Sequence, residues 1–467
     1  MRYLCMAGII VFGAVTVRAE ELKERILPVQ EFVALAAAKD TNFAEILINE
    51  LFLAYAKDLG LSSRDIVLSV EQEYAIDLEN DDPGNSVAVG LNKLFPKIGT
   101  ELDAAYRTTP QSGSNDASSS LAFTISQDIA RNAFGTVERY RSRIIDIEND
   151  IALYQVTEAY EDYLAALITL YYGWYEAYEN FNTAEAAHRA SLQLLDNIRE
   201  RQTSRIAKDV DVNKIMLQVF AKEESLVGFR QEFEEYRVHI RSAIRDSGSA
   251  SLIPTDPAGF KEIEPDLDAD LKRFNEKSRT ICILNLLKTG SDLQVDRYAN
   301  GLLPSACLSL RYGMLGLGSS LDDPEKEIAG GISLQIPIPS QTERASYKSA
   351  LVDQEKTRLS NSNVRIRLTD EVGILFNQIQ ETKRLVVLAD RKIALSNSIV
   401  TDETEEYSFG RTTLTDLIGE VDKLDANRLS RIRQHIRYKN LLLEWLRLTD
   451  TLIYRKDITA PESRSGK

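Results

Sequence analysis

The sequence predicts a mainly α-helical chain with membrane-type β-strands, built by using one structural unit twice. Short strand pairs of alternating polarity stand at 97–127 and 306–337, and each is followed by a long helical hairpin pattern, at 133–245 and 342–456. Self-similarity on this scale marks a repeated supersecondary unit. Beyond the first residues, no stretch reaches the ~20 apolar residues of a membrane-spanning helix. If the mature chain crosses a bilayer, it does so with strands.

Met1–Ala19 reads as a secretory signal: Arg2 supplies the charge, Leu4–Val17 the apolar run, and Val17-Arg18-Ala19 the small-residue cleavage site. Cys5 lies inside the apolar run and offers no lipid anchor. Cys282 and Cys307 then remain, one in a helical pattern and one in a strand pattern, so sequence alone does not decide whether they pair. The first repeat, 20–246, opens with a short helix near Pro28–Leu59. The segment 66–94 is extra: strand-like Ile66–Tyr74 and Ser86–Leu91 flank an Asp81-Asp82-Pro83-Gly84 turn, and the second half has no counterpart.

In Lys97–Thr108, Ile98, Leu102, Ala104 and Tyr106 share a face with Thr100, whereas Glu101, Asp103 and Arg107 share the other. The period of two puts these charges on one side of the pleat. Leu121, Phe123 and Ile125 alternate with small or polar residues, as do Leu308, Leu310 and Tyr312, and Ile332, Leu334 and Ile336. Polar, glycine-rich loops, Thr109–Ser119 and Gly316–Glu327, join the members of each pair. Segments of about ten residues, apolar outside and polar inside, suit a transmembrane barrel. A half-buried sheet in a soluble protein alternates in the same way. Four strands cannot close a membrane barrel, for which about eight is the minimum. The barrel reading therefore demands an oligomer.

The first long helix carries a stripe at 3-4 spacing through Tyr160, Leu167, Trp174, Phe181, His188, Leu195 and Ile198. So long a stripe marks coiled-coil packing. A continuous helix from Ala133 to Ile198 would be roughly 100 Å long at about 1.5 Å per residue. The return stripe is Val212, Ile215, Val219, Lys222, Leu226, Phe233 and Ile240. After a Ser/Gly/Pro-rich linker at 247–265, the second repeat, 266–456, begins with a helix over Asp266–Leu287. Its long hairpin runs out along Leu368, Val372, Leu375 and Ile379 and returns along Leu414, Leu417, Val421 and Leu424. A polar tail, 457–467, follows.

The net charge of −15 argues against a phosphate-binding surface, and no nucleic-acid partner is expected. No Gly-rich phosphate loop, Cys/His metal spacing or Ser/His/Asp signature occurs in context, so neither enzyme activity nor a cofactor or metal is expected.

Three stretches resemble the TolC family of outer-membrane efflux and secretion channels: Phe123–Gly135 (FTISQDIARNAFG), Asn300–Pro304 (NGLLP) with Gly331–Pro339 (GISLQIPIP), and Tyr407–Leu417 (YSFGRTTLTDL). The last is similar to the family's tip signature of Tyr, Gly and Asp. The resemblance implies a homotrimer whose chains each give four strands to a twelve-stranded outer-membrane β-barrel, above an α-helical tunnel in the periplasm. It implies outer-membrane lipid, a periplasmic adaptor and an inner-membrane transporter as partners, and passive export in tripartite efflux or type I secretion. The alternative is a soluble periplasmic coiled-coil scaffold or adaptor without a pore.

The same resemblance makes Asp416 the family's aperture aspartate and Tyr407 its tip tyrosine. The family arginine falls on Thr412, with Arg411 adjacent. In the first hairpin, Ser204–Asn213 occupies the equivalent tip, with Asp211 the better match and Asp209 the next, and Arg205 replaces the glycine. Adaptor docking is expected at Ser204, Arg205, Ile206, Ala207 and Lys208, and at Gly410, Arg411, Thr412, Thr413 and Leu414. Read only as helix-turn chemistry, Gly410 is a C-cap and Asp416 an acid in a first helical turn.

Overall fold

The computed structural model describes residues 24–60, 65–77, 82–110, 117–246, 248, 251–257, 263–317, 321 and 323–453. The expected signal segment and the polar tail lie outside the described residues. The duplication is visible in the lengths of the helices. The outgoing helices α3 (Thr136–Thr203) and α7 (Gln341–Ser408) have 68 residues each. The returning helices α4 (Asp209–Ile244) and α8 (Leu414–Leu448) have 36 and 35. α8 ends at Leu448, and residues 449–453 are not helical.

Each repeat also opens with two helices where the sequence suggested one. The first pair is α1 (Val29–Lys39) and α2 (Thr41–Gly60), broken at the extended Asp40. The second is α5 (Leu267–Lys277) and α6 (Arg279–Gly301), broken at the extended Ser278. That break is stabilised from outside: the Asp450 carboxylate accepts the Arg279 backbone N–H at 2.6 Å. It thereby satisfies one of the donors that a helix start leaves without a partner.

The chain divides into two compact units. The first comprises residues up to Asp40, Ala166–Ile263 and Thr382–Asn440. In it, β1 (Glu24–Leu27) pairs in parallel with β6 (Ser251–Pro254), which lies within the expected linker. Tyr171, fully buried, donates its hydroxyl to Leu27 O at 2.8 Å and accepts from Thr255 N–H at 2.9 Å. Around it pack Phe32, at 5.8 Å between ring centroids, and Trp174, at 5.6 Å and edge-on.

The second unit comprises Thr41–Ala165, Glu264–Glu381 and residues from Leu441 on. Buried Trp445 sits 6.0 Å from the Phe376 ring and donates its indole N–H to Asp270 at 3.2 Å. Glu161 on α3 is also buried in this unit: it pairs with Arg279 and accepts the backbone N–H groups of Leu452 (3.0 Å) and Ile453 (3.3 Å). Arg279 also bonds Asp450 at 2.9 Å.

The same unit holds one antiparallel sheet of six strands, in the order β2-β3-β4-β5-β7-β8. The four expected staves are neighbours: β4 (Thr100–Thr109), β5 (Ser118–Asp128), β7 (Ser305–Leu317) and β8 (Glu325–Gln335). The extra segment adds β2 (Ile66–Asp77) and β3 (Asp82–Phe95) at the β4 side, so among the described residues the sheet holds this hairpin beside the four expected staves. β8 begins inside the expected loop 316–327, because Glu325, Glu327, Gly330 and Gly331 hide an alternation that would otherwise read as strand. Cys282 and Cys307 are free thiols.

The joint between sheet and helix explains two of the sequence motifs. Gln127 accepts from Thr100 Oγ1 at 2.6 Å and donates to Ile98 O at 3.1 Å. Asn132 accepts Val137 N–H at 3.0 Å, and its own N–H reaches the Asn300 side chain at 2.8 Å. Gly135 has φ +72°, and a Cβ there would lie 2.2 Å from Pro96 O. Glycine alone fits where both conformation and space exclude a side chain.

Candidate functional site

The two hairpin tips lie in the first unit and share one backbone design. At the end of α3, Arg205 N–H bonds Gln202 O at 2.9 Å and Ile206 N–H bonds Arg201 O at 2.8 Å. At the end of α7, Gly410 N–H bonds Tyr407 O at 3.1 Å and Arg411 N–H bonds Glu406 O at 2.9 Å. Each pair is a Schellman closure, which requires a left-handed residue just past the helix. Gly410 (φ +74°) and Arg205 (φ +59°) are those residues. A left-handed backbone costs a residue with a Cβ about 1–2 kcal/mol, and gaining a glycine's freedom when unfolded returns part of that. Arg205→Gly should therefore stabilise the protein by up to about 1 kcal/mol, read as a raised urea or thermal midpoint. Gly410→Ala should lower it.

The shared closure makes Arg205 the counterpart of Gly410 and, six residues on in each hairpin, Asp211 the counterpart of Asp416. Both aspartates occupy the third position of the helix that follows. Asp211 Oδ2 accepts the Lys208 N–H at 3.1 Å. Asp416 Oδ2 accepts from Thr413 N–H at 3.4 Å and Thr413 Oγ1 at 2.6 Å. Each carboxylate thus caps its own helix start, where the dipole also favours negative charge. Asp416 is exposed and Asp211 half-buried. Asp209 stands one position inside its helix start and accepts from Gln202 at 2.8 Å.

Tyr407 packs half-buried against a core of Leu195, Ile198, Ile215, Val219 and Leu414. Burial pushes its hydroxyl pKa up, with Asp211 adding to the rise and Arg201 opposing it. The cation at this tyrosine is Arg201, from the first hairpin, whose guanidinium lies 4.8 Å from the ring centroid. Arg411 instead pairs with Glu406 at 3.2 Å and stacks over Phe409. Among the residues expected to dock an adaptor, Ser204, Arg205, Ile206, Lys208, Gly410, Arg411 and Thr413 are exposed, and Thr412 is half-buried. Ala207 is partly buried against the core. Leu414, also expected at that surface, is buried as the first residue of α8, because its side chain anchors the core under the tips.

Below the tips, α4 presents Lys214, Gln218 and Lys222 to α8, one helical turn apart. Lys214 reaches Thr415 at 2.8 Å, and Gln218 bonds Asp422. Lys222 bridges Asp425 at 2.6 Å and Asp422 at 2.8 Å, with only 14% of its side chain exposed. Burial alone would lower the lysine's pKa, but the hydrogen bonds it donates to the two carboxylates outweigh it and the pKa is raised. In the sequence Lys222 falls on an apolar stripe, with no role apparent there. A cation among Val219 and Leu226 was the available signal. The space between α3, α4, α7 and α8 here is a cavity of about 250 Å³ lined by Leu194, Ile215, Lys222, Leu417 and Val421.

No protein-family model matches the chain, and no curated protein matches it by sequence. Solved structures do match. CusC, studied for folding and transmembrane channel formation, aligns over 90% of this chain and 91% of its own, with TM-score 0.69 and 11% identity. The outer-membrane channel OprN aligns over 90% and 89%, with TM-score 0.69 and 14% identity. The outer membrane protein VceC from Vibrio cholerae aligns over 90% and 95%, with TM-score 0.67 and 12% identity. The chain has the TolC-type fold that its motifs implied.

Proposed function

We propose that the chain is an outer-membrane channel protein of the TolC type, one of three identical copies that together enclose a passive conduit. The sheet lies in the outer membrane and the helical hairpins in the periplasm. An adaptor seats on the tips, and an inner-membrane transporter supplies the energy for export of small molecules or proteins. The observation that carries this reading is the duplicated unit of membrane-type strands and 68-residue helices, in the fold of proteins described as outer-membrane channels. The apolar face of the sheet supports it as well, since Phe123, Leu310, Ile328 and Ile332 all stand exposed on a lone chain. These neighbours are channel proteins rather than enzymes, which fits a chain without catalytic motifs.

Within this reading the constriction is at the tips. Asp416, and beside it Asp211, would form rings of carboxylates about the threefold axis. Like charges converging on an axis attract cations and select for them. Tyr407, held by Arg201, would keep neighbouring hairpins closed. The exposed tip residues Ser204, Arg205, Ile206, Gly410 and Arg411 would receive the adaptor, with Ile206 as the apolar contact at 67% exposure.

The test is single-channel recording in planar bilayers. The purified protein is expected to conduct and to be blocked by multivalent cations from the periplasmic side. Asp416→Asn should weaken that block about tenfold, the equivalent of about 1.4 kcal/mol. Asparagine keeps an oxygen to cap Thr413, so a loss of folding does not explain the change. Unaltered block would remove Asp416 from the constriction, and a folded, membrane-extracted trimer that never conducts would refute the conduit.

A further inference from the structure

We infer that the β2–β3 hairpin is a pair of membrane staves, so that the barrel closes between β2 of one copy and β8 of the next and contains eighteen strands. The inference rests on the proposed trimeric conduit and concerns how its barrel is built. Three copies of a six-stranded sheet give that number, where four strands per chain would give twelve.

The ladder supports it first. β3 pairs with β4 through nine successive partners, Val87 with Thr108 through Phe95 with Thr100. β2 pairs with β3 from Ile66–Lys93 through Asp77–Asp82. The hairpin therefore continues the sheet instead of folding away from it.

The faces support it more specifically. Following partners across the sheet, one row reads Leu68, Leu91, Ala104, Phe123, Tyr312, Ile328. A second on the same face reads Val70, Val89, Tyr106, Leu121, Met314, Lys326, apolar until the last strand. The row between them, on the opposite face, is Ser69, Gly90, Ala105, Ala122, Gly313, Glu327. Its neighbour is Glu71, Ala88, Arg107, Ser120, Leu315, Glu325. The apolar band crosses from the expected staves into the added ones without changing face. A one-residue slip at the β3–β4 seam would have turned it inside out. A soluble flap has no need of this agreement, whereas strands in one hydrocarbon layer require it.

The edges complete the case. β2 and β8 are the open edges, of 12 and 11 residues, and they carry some of the sheet's most exposed apolar side chains: Ile66 at 67%, Val70 at 65%, Ile328 at 74% and Ile332 at 72%. Open edges do not persist in lipid, because their backbone groups have no partner there. Six antiparallel strands also leave β8 running opposite to β2, so one edge accepts the other from a second copy in the same antiparallel sense. A barrel's diameter rises roughly linearly with strand number. The membrane opening would thus be about half as wide again as a twelve-stranded one, and admit bulkier cargo.

Cysteine cross-linking in membranes tests this, on a background with Cys282 and Cys307 replaced by serine. One set pairs Ser69→Cys, Glu71→Cys or Glu73→Cys on β2 with Glu327→Cys, Ala329→Cys or Gly331→Cys on β8, all on the polar face. The control set pairs Asp103→Cys, Ala105→Cys or Arg107→Cys on β4 with the same β8 positions. Disulfides need Cα atoms within about 7 Å. In an eighteen-stranded barrel, β4 lies three strand spacings, roughly 14 Å, from the neighbour's β8. Covalent trimers from the β2 set alone are expected. Covalent trimers from the β4 set alone would overturn the eighteen-stranded barrel while leaving the trimeric conduit standing. A protein that gives neither and fractionates as a soluble monomer would overturn both. A cryo-electron-microscopy count of the strands in the barrel of the untreated protein, eighteen against twelve, decides the matter should a variant fail to assemble.

Discussion

Replacing Glu161 with alanine is expected to destabilise the protein by about 3–5 kcal/mol, the usual consequence of removing one partner from a buried ion pair. The side chain is 3% exposed and its carboxylate holds three groups at once: the Arg279 guanidinium and the backbone N–H groups of Leu452 and Ile453. Without it, Arg279 keeps the Asp450 pair, and two backbone donors near the end of the described chain lose their acceptor. Glu161→Gln should recover part of the loss, because it preserves an oxygen for Leu452 and Ile453 while removing the charge. Urea midpoints of the purified variants, or the temperature at which they leave the trimer band, measure both. Midpoints equal to the parent's for the alanine variant would show that the network carries no stability.

Lys222→Met is expected to have the second large effect, and it bears on the tips. The substitution leaves Asp425, itself only 10% exposed at its side chain, facing Asp422 with the more exposed Arg428, at 3.5 Å, as its remaining cation. About 3 kcal/mol is the expected cost, concentrated where α4 meets α8. Adding Asp425→Leu should restore most of it, since apolar replacement of a whole buried pair is often neutral. The lysine's pKa is raised in the folded state, so its contribution is complete below its unfolded value of 10.5 and fades only as pH climbs through the folded one. Wild type and Lys222→Met should therefore differ at pH 7 and converge in strong alkali. If the tips are the constriction, the single variant should also raise mean conductance by loosening the first hairpin from the second. A variant that is destabilised but conducts as before would separate the clamp from the gate.

Most of the fold was legible because its signals are long. The outgoing helices repeat a 3-4 stripe over many turns, and buried residues such as Leu167, Trp174, Ile198, Val372 and Ile379 fall on it. The helix breaks at Asp40 and Ser278 were not legible, since neither position carries proline or glycine. Ser278 breaks because Asp450, far along the chain, accepts the next backbone N–H. Gly330 and Gly331 hide the first half of the sixth strand in the sequence, which shows β2–β3 as strands without a place. Only the register against β4 assigns them to the sheet, and register is a tertiary property.

The candidate site was partly legible. One motif points to Asp416, Tyr407 and Gly410, and spacing points to Asp211 in the other hairpin; the structure shows the two tips share one backbone closure. The glycine's replacement by Arg205 obscured that second tip, although the backbone adopts the same left-handed turn there. Arg201 carries no signal in the sequence, because a cation in the last turn of a helix is ordinary. Its meaning comes from Tyr407, which lies 4.8 Å away on the other hairpin.

The central claim is that three copies of this chain close a barrel in the outer membrane. Imaging the protein after gentle extraction from that membrane tests it most directly. Threefold particles with one continuous barrel are expected, and a freely soluble, solitary chain in the periplasmic fraction would contradict the account.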